Sequence, residues 1–311
     1  MIVTVTVNPS LDRTIVLDAP LRPGEVQAAA STREDAGGKG INVARVLAAA
    51  GTETVAVLPL SADDPYAAAL AATHLAVRAV PVAGHCRSNV TITDPAGVTT
   101  KLNLPGATPS AQELAALQAA VVDAAQSADW VVLAGSLPPG VPDTFYATLI
   151  HAVRARWGTA APRIAVDASG PALQAVVADA HPDLIKPNEH ELAELTGVGA
   201  LEDRVASARL ARTLVPERVG AALITLGGSG AVLVDPDHAL AAVPPATRVR
   251  STVGAGDSSL AGYVLADIAG GSPSDRLTSA VRHGAAAASL PGTMVPTPGD
   301  LSDAPIAVTR I

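Results

Sequence analysis

Apolar and polar positions along this chain follow two periods, and the two alternate in a regular rhythm. Residues 2–7 (IVTVTV) are β-branched at every position and stop at Asn8-Pro9, which predicts a strand followed by a turn. Residues 40–50 carry apolar side chains at helical spacing and end at Gly51. A strand over 54–60, a helix over 65–75 and a strand over 77–82 come next. Helix 111–126 precedes strand 130–134, helix 144–157 precedes strand 164–167, and helix 172–180 precedes strand 184–186. Strands this continuously apolar are covered on both faces. The pattern predicts a doubly wound α/β fold, a mostly parallel sheet with helices on both sides.

Two stretches break the rhythm. Residues 14–18 with 26–32, and 88–93 with 98–103, read as short alternating β segments, the second pair joined by Asp94-Pro95-Ala96-Gly97. They predict a small separate sheet, a lid inserted at about 14–33 and 88–104 into a single domain over 1–311. No linker rich in Gly, Ser or Pro and no internal repeat divides the chain.

Composition narrows the function classes. The 311 residues are 49% hydrophobic and 16% charged, enough for a large core and against disorder. A net charge of -8 argues against a general nucleic-acid or anionic-membrane surface. The apolar runs at 130–135 and 285–290 fall far below the ~18 residues that a membrane span needs. The N-terminus lacks a basic n-region, so a cytoplasmic protein is expected. Cys86 stands alone, which excludes a disulfide framework and a Cys-rich zinc site. A nucleophilic role for it lacks an orienting group and gives way to a small packed or edge residue.

Only three lysines occur, Lys39, Lys101 and Lys186, against eighteen arginines. Each lies in a segment suited to phosphate. In STVGAGDSSLAG (251–262), Gly254, Ala255 and Gly256 open an apolar helix, so bare amides and the helix dipole can face an anion. Asp257 in that first turn either stabilises the helix start or accepts a proton from an attacking hydroxyl. DAGGKGINVAR (35–45) opens another helix, but Gly40 after Lys39 rules out a P-loop. Arg87, Ser88 and Asn89 face Lys101 and Asn103 across the predicted hairpin, either as a solvated edge or as the cationic face of a lid. In KPNEHE (186–191), Asn188 and Glu191 suit a capping box and also suit Mg²⁺ that keeps most of its water. The glycines after Thr225 and around Ser136 fail the dinucleotide fingerprint.

Taken in order, TVNPSLDRT, PGEV, DAGGKGINVARVL, CRSNVTI, TKLNLPG, GSLPPG, VDASG, KPNEHEL, ITLGGSGA and STVGAGDSSLAG resemble the ribokinase-like (PfkB) carbohydrate kinases. NPSLD, GGKGINVARVL and TKLNLPG look most like the 1-phosphofructokinase branch, which acts on sugar phosphates. The resemblance implies a kinase that uses ATP and Mg²⁺, with Asp257 as the base and Gly254, Ala255 and Gly256 as the anion hole. It implies that Asp12, Gly38, Asn42 and Asn89 hold sugar hydroxyls. Lys39, Arg87, Lys101 and Ser136 become candidates for the phosphate already on the sugar. Lys186, Asn188 and Glu191 would serve the nucleotide phosphates and Mg²⁺, and Thr225, Gly227 and Gly230 would border ATP. A homodimer through the lid is expected by the same resemblance. The implied reaction phosphorylates fructose 1-phosphate, with 6-phosphates of tagatose or fructose as alternatives and a non-catalytic sugar-phosphate sensor as another class. One departure stands out: Gln27 and Ala28 follow PGEV where the branch carries Asn and Arg. Arg22, Arg33 or a partner subunit would then supply that charge, or the substrate differs.

Overall fold

The computed structural model describes residues 1–199 and 203–311. The chain starts on β1 (Ile2–Val5) and leaves at once for two lid strands, β2 (Ser10–Val16) and β3 (Ser31–Gly37). It returns through α1 (Lys39–Ala49), β4 (Thr54–Leu60), α2 (Tyr66–Ala71) and β5 (Ala76–Pro81). A second excursion makes β6 (Arg87–Thr93) and β7 (Thr99–Asn103). The main layer then continues through α3 (Ala111–Ala124), β8 (Trp130–Ala134), α4 (Phe145–Trp157), β9 (Arg163–Asp167), α5 (Gly170–Asp179) and β10 (Leu184–Ile185). After α6 (Glu189–Thr196) and α7 (Arg204–Ala211) come three strands, β11 (Ala222–Thr225), β12 (Ala231–Val234) and β13 (Ala239–Ala242). The helices α8 (Ala255–Ile268) and α9 (Pro273–Ser289) and the short strand β14 (Val308–Arg310) complete it.

The large sheet has the order β14-β13-β12-β11-β10-β9-β8-β1-β4-β5. It is parallel from β11 to β5, and β11 to β14 add antiparallel pairings at one edge. The β1 and β8 side chains are buried throughout, as their unbroken apolar runs require. One core cluster joins the sheet to α3, α4 and α5, a second joins it to α1, α8 and α9. A third sits under the lid, where Leu11 and Ala36 pack with Ile41, Leu58 and Tyr66. Half-buried Cys86 packs beside that third cluster, and its sulfur meets Asp64 at 3.6 Å. Burial and the Asp64 charge push its thiol up to about 12, so it remains a protonated packing group.

The lid is a four-stranded sheet ordered β3-β2-β6-β7. Its second hairpin turns at residues 94–97, where the Asp94 carboxylate accepts from the Ala96 and Val98 amides. The first pair departs from the expectation. Pairing runs from Ser10 to Val16 against Ser31 to Gly37, so residues 17–18 and 26–30 lie outside it. Asn8-Pro9 occupies only a short bend, after which the chain re-enters extended structure. Gly37 ends β3 opposite Ser10, and it is glycine because the Asp12 carboxyl takes the space a Cβ would need. Val26 is fully exposed and lacks the half-buried surface that a strand position uses. The helix expected over 65–75 is also shorter, closing at Ala71.

Candidate active site

The parallel strands β1, β8, β9, β10 and β11 are neighbours, so their carboxyl ends fall side by side. Asn8, Ser136, Asp167, Lys186 and Thr225 follow or end those strands in turn. Ligands of such sheets bind outside this edge. Two helix starts converge on it. Gly254 caps α8 with φ 76°, a left-handed conformation that glycine adopts without strain. Among the described residues the Gly254 and Gly256 amides have no acceptor, and that of Ala255 makes only a long bond of 3.4 Å to the Thr252 carbonyl. These are the free donors of a helix N-terminus.

Asp257, in the first turn of α8, is 6% exposed, and its Oδ2 accepts a 2.8 Å bond from Asn42 Nδ2 on α1. Burial lifts its carboxyl to about 6, and the Asp167 charge adds to the lift. Lys39, the Asn42 bond and Lys186 pull the other way. A carboxylate poised there can take a proton near neutral pH. Lys39 begins α1 after the cap residue Gly38 and lies one turn from Asn42, so both reach the same space.

Lys39 Nζ donates to Asp167 Oδ1 at 2.7 Å, and Lys186 Nζ lies 3.1 Å from Asp167 Oδ2. Asp167 is fully buried. Burial alone would raise its carboxyl, but the two ammonium groups outweigh it and hold it below the usual range. Burial likewise opposes the Lys39 charge, yet Asp167 leaves that ammonium with a pKa above the ordinary lysine value.

The inward face of the lid is polar. Register pairs Asp12 with Asn89, Asn89 with Asn103, and Thr91 with Lys101, so these side chains share one face with Arg87. Asp12 Oδ1 accepts from Ser10 Oγ (2.9 Å) and Asn89 Nδ2 (2.8 Å). Burial raises its carboxyl above the usual value against those two bonds and the Arg87 charge. Arg87 reaches the Asn8 carbonyl at 3.4 Å, and Asn8 Nδ2 donates to Ser136 Oγ at 3.1 Å. Lys101 is exposed and makes no hydrogen bond or ion pair among the described residues. Arg22 pairs with Glu25 inside its own loop, and Gln27 bonds back to Arg22 and Pro20 there. Arg33 is engaged by Asp35 and Thr293.

A cleft of about 650 Å³ opens on the other side. Lys39, Lys186, Asn188, Glu191, Thr225, Gly227, Gly230, Gly254, Ala255, Gly256 and Asp257 all border it. Gly230 (φ 96°) admits no side chain, because a Cβ would collide with the Ala242 carbonyl oxygen. Asn188 caps α6: its Oδ1 accepts from the amides of His190 and Glu191, and Glu191 Oε2 accepts from the Asn188 amide. No group of three His, Cys, Asp or Glu is arranged to hold a metal among the described residues. The donor set therefore fits Mg²⁺ only as an ion carried by phosphate oxygens and water, with Glu191 beside it.

Sequence reasoning about single segments missed two parts of this site. Asp167 belongs to VDASG but shows no partner until β9 and β10 are adjacent. The apolar wall of the cleft (Pro245, Val249, Val281, Ala285 and Ala288) comes from a loop and from α9, which carry no motif.

The chain is similar over most of its length to known proteins. The model of the pfkB family of carbohydrate kinases matches residues 6–299. A 1-phosphofructokinase of Rhodobacter capsulatus is 40% identical over 274 residues, 85% of this chain and 83% of that protein. The ATP-dependent 6-phosphofructokinase isozyme 2 of Escherichia coli (strain K12) is 31% identical over 298 residues, 94% of each chain. The crystal structure of phosphofructokinase-2 from Escherichia coli in complex with potassium matches with a TM-score of 0.88 at 30% identity, covering 96% of both chains. The chain has the ribokinase-like fold of these kinases and belongs to the pfkB family of carbohydrate kinases, phosphotransferases that act on a sugar hydroxyl.

Proposed function

We propose that this chain transfers the γ-phosphoryl group of ATP to O6 of fructose 1-phosphate, giving fructose 1,6-bisphosphate and ADP. The observation that carries the reading is Asp257, a buried carboxylate beside the free amides of the α8 start. The O6–H proton passes to the Asp257 carboxylate as the O6–phosphorus bond forms. The bond from the γ-phosphorus to its bridging oxygen breaks, and that electron pair leaves with ADP. Amides of Gly254, Ala255 and Gly256 face the charge that develops on the group in transit. Asp12, Gly38, Asn42 and Asn89 hold the sugar, while Lys39, Arg87, Lys101 and Ser136 serve its phosphate. Lys186, Asn188 and Glu191 serve the nucleotide phosphates, and Thr225, Gly227 and Gly230 border ATP. Bound Mg²⁺ would screen the phosphate charge, with Glu191 and Asn188 next to it through water.

Initial rates with fructose 1-phosphate, fructose 6-phosphate and tagatose 6-phosphate test the substrate. The highest kcat/KM is expected for fructose 1-phosphate, and a clear preference for a 6-phosphate rejects it. The second reading, a 6-phosphate kinase, draws support from Gln27 and Ala28, since Arg22 and Arg33 are both engaged elsewhere. Binding of a sugar phosphate with no ADP released would favour a sensor.

The proton-acceptor role has a pH signature. Asp257 must be ionised, so kcat/KM should hold above about pH 6 and fall about tenfold per pH unit below it. A limb near pH 4 in the pH–rate profile would count against Asp257 as the base.

The chain acts as one kinase domain with the lid inserted in two pieces. The outward lid face carries Ile15, Val90, Ile92 and Leu102, the last 52% exposed, and supports a homodimer formed through the lid. Sedimentation should then show a dimer that Leu102→Asp weakens; a wild-type monomer at micromolar concentration would reject it. No helix among the described residues is long and apolar enough to cross a membrane. With its lone cysteine, this supports a cytoplasmic setting, which cell fractionation tests.

A further inference from the structure

Asp167 is the one member of the charge cluster that does not border the cleft. It lies behind Lys39 and Lys186, which do. Lys39 begins α1, on the side of the lid, whereas Lys186 follows β10, on the side of the cleft. The two cations have no common element; among the described residues only the buried carboxylate at the end of β9 joins them, at 2.7 and 3.1 Å. Lys186 is 4% exposed and packs on the α8 start: a Cβ on Gly256 would stand 3.2 Å from its Nζ. The contact from Lys186 to Asp167 Oδ2 is an ion pair without hydrogen-bond alignment, and Oδ2 has no other donor among the described residues.

We infer that Asp167 is a positioning residue: it clamps Lys39 and Lys186 at fixed places on either side of the anion-suited amides. This rests on the kinase reading above and goes beyond it. A lysine is a point charge on a flexible four-carbon stem. Two such stems, left free, would reorganise around the sugar phosphate and the nucleotide phosphates that they meet. Tied to one carboxylate, they are already in place, and preorganised charge of this kind is a large term in catalysis. Because one carboxylate holds both, the lid side and the nucleotide side share a fixed origin. Asp167 does not touch the substrates; it acts through the two ammonium groups.

Position and charge can be separated by two substitutions. Asp167→Asn keeps the shape and removes the charge. It should lower kcat about 100-fold with a smaller change in KM. Asp257 faces Asp167, Lys39, Lys186 and Asn42, so losing the Asp167 charge should also move the acid limb of kcat/KM down by about one pH unit. Asp167→Glu keeps the charge and moves the oxygens by one methylene. It should lower kcat about tenfold, with the limb in place. A purely structural role would reduce Tm but leave the per-molecule kcat and KM unmoved. Values of kcat within about twofold of wild type in both variants would overturn the clamp.

A measurement on the wild type decides the matter even where a variant fails to fold. With only three lysines, ¹³Cε-labelled lysine gives three signals. Two should relax as rigid groups and one, from exposed Lys101, as a mobile one. Three equally mobile signals would overturn the inference. Turnover of fructose 1-phosphate by the same sample tests the kinase reading separately, since a silent wild type with two rigid lysines would reject the reaction and retain the clamp.

Discussion

Asp257→Asn is expected to lower kcat about 1,000-fold while making the fold more stable at neutral pH. General bases contribute roughly 10²–10⁴ in rate, and asparagine keeps the shape and can still accept from Asn42. The stability gain follows from the raised carboxyl. Its folded value of about 6 lies above the ordinary 3.8, so the folded state binds this proton more tightly than the unfolded chain. The group therefore favours the fold most below about pH 4, and that advantage is lost as pH rises from 3.8 to 6. Above pH 6 the deficit is constant, on the order of 3 kcal/mol, and a neutral asparagine escapes it. Urea denaturation at several pH values checks the sign. The variant should exceed wild type at pH 7, and the gap should close toward pH 4. A wild type that is the more stable protein at pH 7 would contradict the assignment of Asp257 as a desolvated catalytic carboxylate.

Asp267→Ala is expected to do the opposite, destabilising the fold without touching its chemistry. Asp267 is buried near the end of α8, where it pairs with Arg163 and with Arg276 at 3.1 Å and accepts from Trp130 Nε1 at 2.8 Å. Arg163 also stacks 4.6 Å from the centre of the Trp130 ring. Removing the carboxylate takes the acceptor from a buried indole N–H and the counter-charge from two partly exposed guanidinium groups, a change that costs about 1–3 kcal/mol. Trp130 and Arg163 start β8 and β9, whereas the site lies at the opposite ends of those strands. The urea midpoint should fall steeply while kcat/KM per folded molecule stays within about twofold of wild type. A variant with an unchanged midpoint would remove Asp267 from the structural network.

Those two aspartates, ten residues apart on one helix, show what a single chain can and cannot reveal. Both occupy an apolar helical pattern, and their local sequences do not announce opposite roles. The glycines before Asp257 do mark a helix start suited to an anion, so that end of α8 was legible. Asp267 acquires its role from Arg163, Arg276 and Trp130, the last 137 positions away.

Local sequence specified the alternation of apolar strands and helices, a small separate sheet, and the segments that carry phosphate-suited residues. These are local properties: side-chain period, backbone freedom at glycine, and residue type at a helix start. The ends of the first lid hairpin were misplaced, because alternation allowed a strand at Val26 that no packing surface supports. Tertiary structure alone decided strand order, and with it which carboxyl ends become neighbours. That order places β9 beside β10 and so brings Asp167 against Lys186, with Lys39 delivered from the start of α1. It also buries Asp257, which lifts its carboxyl to about 6. Contacts of this range depend on how the sheet is wound, and the electrostatics of a buried charge depend on everything packed around it.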